Sequence, residues 1–558
     1  MRVQASRCAV AVFALTAGAV RAQVTLSGTT FVDRGATGQI VLGTMRGGMS
    51  VLDFDGDGWM DLVFEQLEGQ INRLFRNVPG PGGTRTFEDV SLGSGLDNAA
   101  GVPFYTGFGV ISGDYDNDGD PDVLFTGVRF STGAVAQLYR NDGGGVFTDV
   151  SEASGVRWNN GDQPDAAAMV DFDLDGWIDI YFTGGSGFEG HQRLLRNNQD
   201  GTFSNATNLL PEVGDFGVTY TATWTDFDRD GDQDCFNPTA GLHPQLLRND
   251  EDGNGGRVFV DVALEHGFDL LGPAPMGIAM GDYDGDLDLD IAITDAANGT
   301  YFRNDGGTYT QVEPMNSIFG WGVAWIDADN DGWIDNYQAG SLPNFNFDRL
   351  FHNNGDGTFT DISPALNGVS TAAQYAVQVD YNNDGRPDII TLNPNKFVSV
   401  YENISQTSNH FVTLRLEGDG VKVNRDALGA FITLTAGGRS QIREISAGSS
   451  TTATEDLRRH FGLGGSAVID RIEIVWPRRG TVASRTDVFE GPIAADRFLV
   501  ITPLCTADFD DSGFVDTDDY DAFVGAFEAG DPAADADGSG FIDTEDFDAF
   551  VGAFESGC

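Results

Sequence analysis

Basic residues are scarce in this chain. Lys and Arg total 32 against 85 Asp and Glu, a formal charge of −53 at pH 7. A field of that sign repels nucleic acid and anionic membrane surfaces, so neither is expected as a partner. Long apolar runs are missing too: beyond the first 22 residues no stretch approaches the length of about 18 that a membrane span needs. The six histidines, His191, His243, His266, His352, His410 and His460, include no zinc-binding pair at helical spacing. Gly184-Gly185-Ser186-Gly187 lacks the spacing of a nucleophile elbow and reads as a turn. By contrast 74 glycines, 40 phenylalanines and an apolar fraction of 41% suit many short strands joined by turns and fit low-complexity disorder poorly.

Residues 1–22 read as a secretory signal, with Arg2 and Arg7 ahead of an apolar run from Cys8 to Val20 and small residues around Ala22. Cleavage before Gln23 is expected to export the protein, and the position of Cys8 at the start of the run does not support a lipoprotein anchor. Three cysteines then remain. Cys235 reads as a small buried apolar residue, whereas Cys505 and Cys558 bracket the last segment and could staple it.

Asp53-Phe54-Asp55-Gly56-Asp57-Gly58-Trp59-Met60-Asp61 places carboxylates at positions 1, 3, 5 and 9 of a loop, with a glycine at position 6 for a sharp turn. Carboxylates about 5 Å apart at an effective dielectric near 20 repel by roughly 3 kcal/mol per pair, so a cation belongs among them. Ca²⁺ takes six to eight hard oxygen ligands in a flexible geometry, whereas Mg²⁺ demands a stricter octahedron. The spacing returns at Asp114/Asp116/Asp118/Asp122, Asp171/Asp173/Asp175/Asp179, Asp226/Asp228/Asp230/Asp234 and Asp282/Asp284/Asp286/Asp290. Two further copies are Asp327/Asp329/Asp331/Asp335 and Asp380/Asn382/Asp384/Asp388, and the fifth copy departs from the rest with Leu287 in place of the loop glycine.

Most of these loops run into a short strand-like stretch such as Leu62-Val63-Phe64, then a phrase such as Leu74-Phe75-Arg76-Asn77, then a turn and Phe87-Glu88-Asp89-Val90. Four strands per unit of about 55 residues make one propeller blade. The seventh unit ends at Tyr401-Glu402-Asn403 without its last strand, while an orphan Phe31-Val32-Asp33 stands before the first loop. Pairing the two would close a seven-bladed ring and leave no open sheet edge.

These motifs resemble the FG-GAP/VCBS repeats of integrin-α-like propellers, which implies calcium loops set in β-hairpins over residues 23–405. Residues 406–503 read as a small β domain on alternating runs such as Phe411-Val412-Thr413-Leu414-Arg415-Leu416 and Ile472-Glu473-Ile474-Val475-Trp476. Its phrases Asn424-Arg425-Asp426-Ala427-Leu428-Gly429-Ala430, His460-Phe461-Gly462-Leu463-Gly464 and Val475-Trp476-Pro477 resemble the ASPIC/UnbV domain of cartilage-acidic-protein-like secreted proteins. Asn424, Arg425, Asp426 and His460 there either form a polar site or satisfy turns and one another.

Residues 504–558 hold a different repeat, Asp508-x-Asp510-x-Ser512-Gly513-x-Val515-Asp516-x-x-Asp519 answered by Asp535-x-Asp537-x-Ser539-Gly540-x-Ile542-Asp543-x-x-Asp546. A carboxylate at position 12 and an aliphatic residue at position 8 follow the EF-hand pattern, and the apolar-periodic runs Tyr520 to Phe527 and Phe547 to Phe554 read as helices. The duplicated loop-helix unit resembles a type I dockerin module, which implies a cohesin-like partner; a self-folded calcium-stabilised tail is the alternative. The expected architecture is therefore all-β: a seven-bladed β-propeller, a small β domain and a short α-helical EF-hand/dockerin-like module.

About seven Ca²⁺ in the propeller and two in the tail are expected. No catalytic pair stands out, because the loops employ most of the carboxylates. Trp59, Trp177 and Trp333, all at loop position 7, either pack between blades or stack on sugar rings at one rim. The function expected is a secreted calcium-binding protein that binds an extracellular glycan or surface protein. The alternative is a polysaccharide-degrading lyase or glycoside hydrolase on the same scaffold.

Overall fold

A computed structural model describes residues 29–34, 47–65, 71–96, 105–129, 134–157, 165–184, 192–211, 219–240, 244–269, 274–296, 299–312, 320–340, 348–366, 373–393, 398–420, 423–448, 450, 453–478, 480, 484–503, 509, 517–530, 534, 536 and 542–556. The expected signal segment, Cys505, Cys558 and the tail loop positions Asp508, Asp510, Ser512, Asp516, Asp535, Asp537 and Ser539 lie outside the described residues.

Each repeat unit forms one four-stranded antiparallel sheet with its strands side by side in chain order, over 49–89, 105–149, 167–205, 223–261, 275–312 and 320–361. Their strands are short and their central positions buried, as Leu62, Val63 and Phe64 are in Asp61–Phe64. Residues 375–403 supply only three strands of a further sheet, and the orphan Phe31–Asp33 supplies the fourth, with Phe31 opposite Asn403 and Asp33 opposite Tyr401. The innermost strands touch in cyclic order: Met49–Leu52 meets Tyr105–Gly113, each next one meets its successor, and Tyr375–Val379 returns to Met49–Leu52. The arrangement is propeller-like. Core clusters lie between adjacent sheets, such as that joining Val51, Leu62 and Phe75 of the first to Val377, Ile390 and Val400 of the last.

The small β domain consists of a four-stranded antiparallel sheet and a three-stranded sheet in which His410–Leu416 pairs antiparallel with Arg459–Gly464 and parallel with Arg497–Ile501. It shares a core with the propeller-like part: Val412, Ile432, Ile474 and Trp476 belong to the same buried cluster as Ile111, Met169, Ile180 and Phe203. A segment of this domain enters the ring of innermost strands, where Ala447, Ser450 and Thr454 form single β-bridges to Met169, Ile278 and Ser50 of three different sheets.

Helices α1 (Thr517–Ala529) and α2 (Thr544–Ser556) pack on each other through Phe523 and Phe550, whose rings stack at 3.9 Å. None of the described helices is long and apolar enough to cross a membrane.

Phe31 is fully buried among Leu350, Ile389 and Tyr401, so the terminal strand is anchored by packing as well as by its ladder. Phe31→Ala is expected to lower unfolding free energy by about 3–5 kcal/mol in a urea titration, against well under half of that for Val32→Ala on the half-buried side of the same strand.

Candidate metal loops and the asparagine that joins them

The nine-residue loops connect the first and second strands of each of the seven propeller-like sheets, and all seven adopt one hydrogen-bonded form. The position-1 carboxylate accepts the N–H groups of positions 5 and 6: Asp57 and Gly58 donate to Asp53 at 3.0 and 2.8 Å, and Asp175 and Gly176 donate to Asp171 at 2.9 Å each. The position-5 carboxylate accepts the position-7 N–H, as Asp57 does from Trp59 at 3.0 Å. Position 6 is left-handed throughout, with φ from 80° to 98° at Gly58, Gly119, Gly176, Gly231, Gly332 and Gly385. Leu287 takes the same turn at φ 75°. The odd loop therefore keeps the common shape, at the cost of a left-handed leucine.

Position 9 is the most deeply buried carboxylate. Asp61, Asp122, Asp179, Asp234, Asp290 and Asp388 have no exposed surface, and Asp335 has 1%. One oxygen accepts the position-2 N–H of its own loop, as Asp290 does from Tyr283 at 3.0 Å. The other accepts the backbone N–H of an asparagine at the end of the third strand: Asn77 to Asp61 at 2.7 Å, Asn197 to Asp179 at 2.6 Å, Asn353 to Asp335 at 2.7 Å.

That asparagine closes the recurrent Leu-Phe-Arg-Asn phrase, whose recurrence was visible in the sequence and whose role was not. Its side-chain amide donates twice. One bond goes to the position-8 carbonyl of its own loop, and the other crosses to the position-2 carbonyl of the preceding loop. The crossing bonds are Asn77 to Tyr381, Asn141 to Phe54, Asn197 to Tyr115, Asn249 to Phe172, Asn353 to Tyr283 and Asn403 to Ala328, at 2.7–2.9 Å. In the fifth sheet Asn304 turns instead to Leu289 and the Tyr309 hydroxyl. The position-2 ring packs on the next sheet through the phenylalanine of its outermost strand, as in Phe54–Phe147, Tyr115–Phe203, Phe172–Phe259 and Tyr283–Phe359. Five of the seven loops, those with Phe54, Tyr115, Phe172, Tyr283 and Tyr381 at position 2, thus grip a neighbour by one hydrogen bond and one ring contact.

In the first four loops the side chains at positions 1, 3 and 5, or 1, 3 and 9, present oxygens within 4.8 Å of one another: Asp53/Asp55/Asp57, Asp114/Asp116/Asp122, Asp171/Asp173/Asp179 and Asp226/Asp228/Asp230. At Asp329/Asp331 a nitrogen of His352 joins the group. The position-3 oxygens Asp55 Oδ1, Asp116 Oδ1, Asp173 Oδ1 and Asp284 Oδ1 are buried with no hydrogen-bond partner. Arg76 and Arg196 pair with the position-3 carboxylates of two clusters, at Asp55 and Asp173. Orphaned buried carboxylate oxygens beside other carboxylates fit a hard cation.

The four carboxylates of a loop differ in exposure, and the difference is largest at position 5. Asp57, Asp118, Asp230 and Asp286 are exposed, and so is Asp228 at position 3 of the fourth loop. Asp118 is also absent from the converging group of its own loop, which draws on Asp114, Asp116 and Asp122 instead. The reason is geometric: position 5 lies at the tip of the left-handed turn, and one of its oxygens is bent back onto the position-7 N–H. Asp118 accepts from Asp120 at 2.9 Å, and Asp286 accepts from Asp288 at 3.0 Å. Asp118 and Asp286 therefore stand at the solvent side of their clusters, with a single carboxylate oxygen left for an ion.

Burial raises Asp61 to about 8 and Asp290 to about 9, with neighbouring loop carboxylates adding to the rise and backbone N–H donors opposing it. At His352 burial opposes the charge, yet its hydrogen bond to Asp335 and the nearby Asp329 and Asp331 raise it to about 9.

Other expected groups fall differently. Asn424, Arg425, Asp426 and His460 form no common site: Asn424 closes a turn onto Leu428, Asp426 accepts the Asp114 N–H at 2.7 Å, and His460 Nε2 donates to Asn330 at 2.8 Å. Burial first, and Arg443 second, lower His460 to about 3, so it is neutral. Trp333 lies against Gly285 and Gly355 under the Arg439 guanidinium, 3.4 Å from its ring centre, and Arg85 covers Trp59 at 3.7 Å. Those two rings are committed to packing. Cys235 is fully buried and free, as expected. In the tail, Asp546 is buried at the start of α2 and accepts the N–H of the exposed Asp543 at 2.7 Å, while the side chain of Asp519 is outside the described residues.

The chain contains FG-GAP-like repeats, matched over residues 53–125, 114–182, 171–236 and 340–391, and an ASPIC and UnbV domain over 420–504. It is similar to cartilage acidic protein 1, at 25% identity to the Mus musculus protein over 33% of this chain and 28% of that one. The Xenopus tropicalis protein is 27% identical over 52% of this chain and 41% of its own length, so the match spans less than half of either relative. Among solved structures, an Agrocybe aegerita lectin that recognises non-reducing terminal N-acetylglucosamine aligns over 57% of this chain and 81% of its own, with TM-score 0.38 and 18% identity; at that value it carries no argument.

Two outcomes are expected. Asn197→Ala leaves the Tyr115 and Ile178 carbonyls unpaired, so it should cost about 2–3 kcal/mol by urea unfolding, and Asn304→Ala, which breaks no bond between sheets, about 1 kcal/mol less. The metal-free fold holds protons on Asp61 and Asp290 that the unfolded chain releases near pH 4. The stability these two groups contribute is therefore greatest below that pH and is lost as pH rises through about 8 to 9. Thermal melts in chelator should fall from pH 5 to pH 9, and millimolar calcium should abolish that fall.

Proposed function

We propose that this is an exported calcium-loaded binding protein: a seven-bladed β-propeller with one Ca²⁺ in each loop, joined to an ASPIC/UnbV domain and tethered through a dockerin-like tail. The observation that carries the reading is the loop spacing repeated seven times, with acidic side chains converging in the first four loops and buried position-3 oxygens of Asp55, Asp116, Asp173 and Asp284 that accept no hydrogen bond. Loop carboxylates at positions 1, 3, 5 and 9 and the position-7 carbonyl would hold the ion, and the bound charge would relieve their mutual repulsion. The exposed position-5 groups, Asp118 and Asp286 among them, would close the shell from the solvent side. Asn382 takes position 3 in the seventh loop, where its amide oxygen is the ligand. An affinity of about 10⁻⁴ to 10⁻³ M suits an extracellular site that stays filled.

The FG-GAP-like repeats and the ASPIC/UnbV domain support a binding or adhesion module. The ligand we assign is an extracellular glycan or a surface protein, and the tail would carry two further ions and a cohesin-like partner. Export rests on the arginine-flanked apolar run at the N-terminus.

Calorimetric titration of the chain from Gln23 to Pro503 should show about seven calcium sites, and the tail should add about two. The same fragment, passed over size-exclusion medium with soluble polysaccharides and surface proteins in calcium, should be retained, and chelator should release it. Shortening of the polysaccharide would establish the hydrolase or lyase alternative instead.

A further inference from the structure

The small β domain is seated on the face that carries the metal loops, and many of its contacts fall on a single loop position. Position 4, between ligand positions 3 and 5, is left-handed at Asn117, Asn330 and Asn383, with φ of 59°, 59° and 51°. Each of these three amides makes the same pair of bonds. Its Nδ2 donates to the position-6 carbonyl of the following loop: Asn117 to Gly176 at 3.0 Å, Asn330 to Gly385 at 2.8 Å, Asn383 to Gly58 at 3.1 Å. Its Oδ1 accepts from the small β domain: from the Arg425 N–H at 3.0 Å, from His460 Nε2 at 2.8 Å, from Arg458 Nη1 at 2.8 Å. Bonds to backbone carbonyls reinforce two of these points, Gly464 N–H to Asn330 O at 2.8 Å and the Arg458 side-chain Nη2 to Asp380 O at 3.1 Å.

We propose that filling of the metal loops and docking of the small β domain are linked, so that the domain grips the loops in their loaded shape and its docking in turn tightens the ions. The inference rests on the calcium reading above. The physical reason is local. A left-handed asparagine between two ligand positions holds its turn while the flanking carboxylates converge on one cation; without the cation they repel, and the turn that aims both ends of the amide loosens. A coupling between two binding events is reciprocal, so weakening the domain contact must weaken calcium by the same factor.

The test uses the full chain. Hydrogen exchange at Gly464 and Ser450, whose N–H groups bond to Asn330 and Ile278, reports docking, while calorimetry reports calcium. Chelation of the unmodified chain should raise exchange at both amides at least tenfold. The double variant Asn330→Gly, Asn383→Gly keeps the left-handed turn, since glycine already occupies position 4 in the first and fifth loops, and removes the amides. It should bind calcium several-fold more weakly and exchange faster at Gly464. Arg458→Met, which alters only the β-domain side, should do the same. Calcium bound without any change in exchange, or faster exchange in the variants with unchanged calcium affinity, would overturn the linkage alone. If the unmodified chain binds no calcium, the metal reading falls and the linkage with it.

Discussion

A buried carboxylate at loop position 9 holds each repeat together. It is buried from the surface, one oxygen pins the start of its own loop, and the other pins the end of the third strand. Such a group is costly as a bare anion and useful as part of a cation's shell, so one residue serves both the turn and the ion. The asparagine it pins then reaches across to the preceding loop in six of the seven sheets. Hairpin closure and sheet-to-sheet attachment therefore depend on the same few atoms that the proposed ion would use. The sheets themselves are too small to stand alone, and their cores are shared with neighbours.

Much of this was legible in the sequence because it is periodic. The alternating carboxylates announced the loops, the Leu-Phe-Arg-Asn and Phe-x-Asp-Val phrases announced the outer strands, and the missing strand of the last unit pointed to Phe31-Val32-Asp33, which pairs there. Leu287 marked a departure, yet the hydrogen bonds of the loop impose the left-handed turn on it all the same. What could not be read was the direction and depth of side chains. Spacing makes Asp118 and Asp122 look alike, whereas the turn leaves the first at its exposed tip and buries the second completely. Asn197 looks like a strand end until its amide is found on Tyr115, 82 positions earlier. The polar phrases around Asn424 and His460 left a common site and separate structural roles both open, and folding gives them separate roles: Asn424 closes its own turn, while Asp426 and His460 reach different loops.

The second consequence of the geometry concerns the face of the ring. The loops are not a free rim: the small β domain contacts them through Asp426, Arg458 and His460, and its segment around Ser450 occupies the space between innermost strands. At loop position 7, Trp333 likewise lies under Arg439 of the small β domain. A search for ligand contacts thus starts away from the loops, and the acidic positions answer mainly to the architecture.

The most direct test is the anomalous diffraction signal from crystals grown in millimolar calcium. Peaks are predicted in each of the seven loops, between the side chains of positions 1, 3, 5 and 9, with Arg76 and Arg196 standing outside the clusters. Loops holding only water, or the arginine guanidinium groups lodged among the carboxylates in place of an ion, would contradict the account.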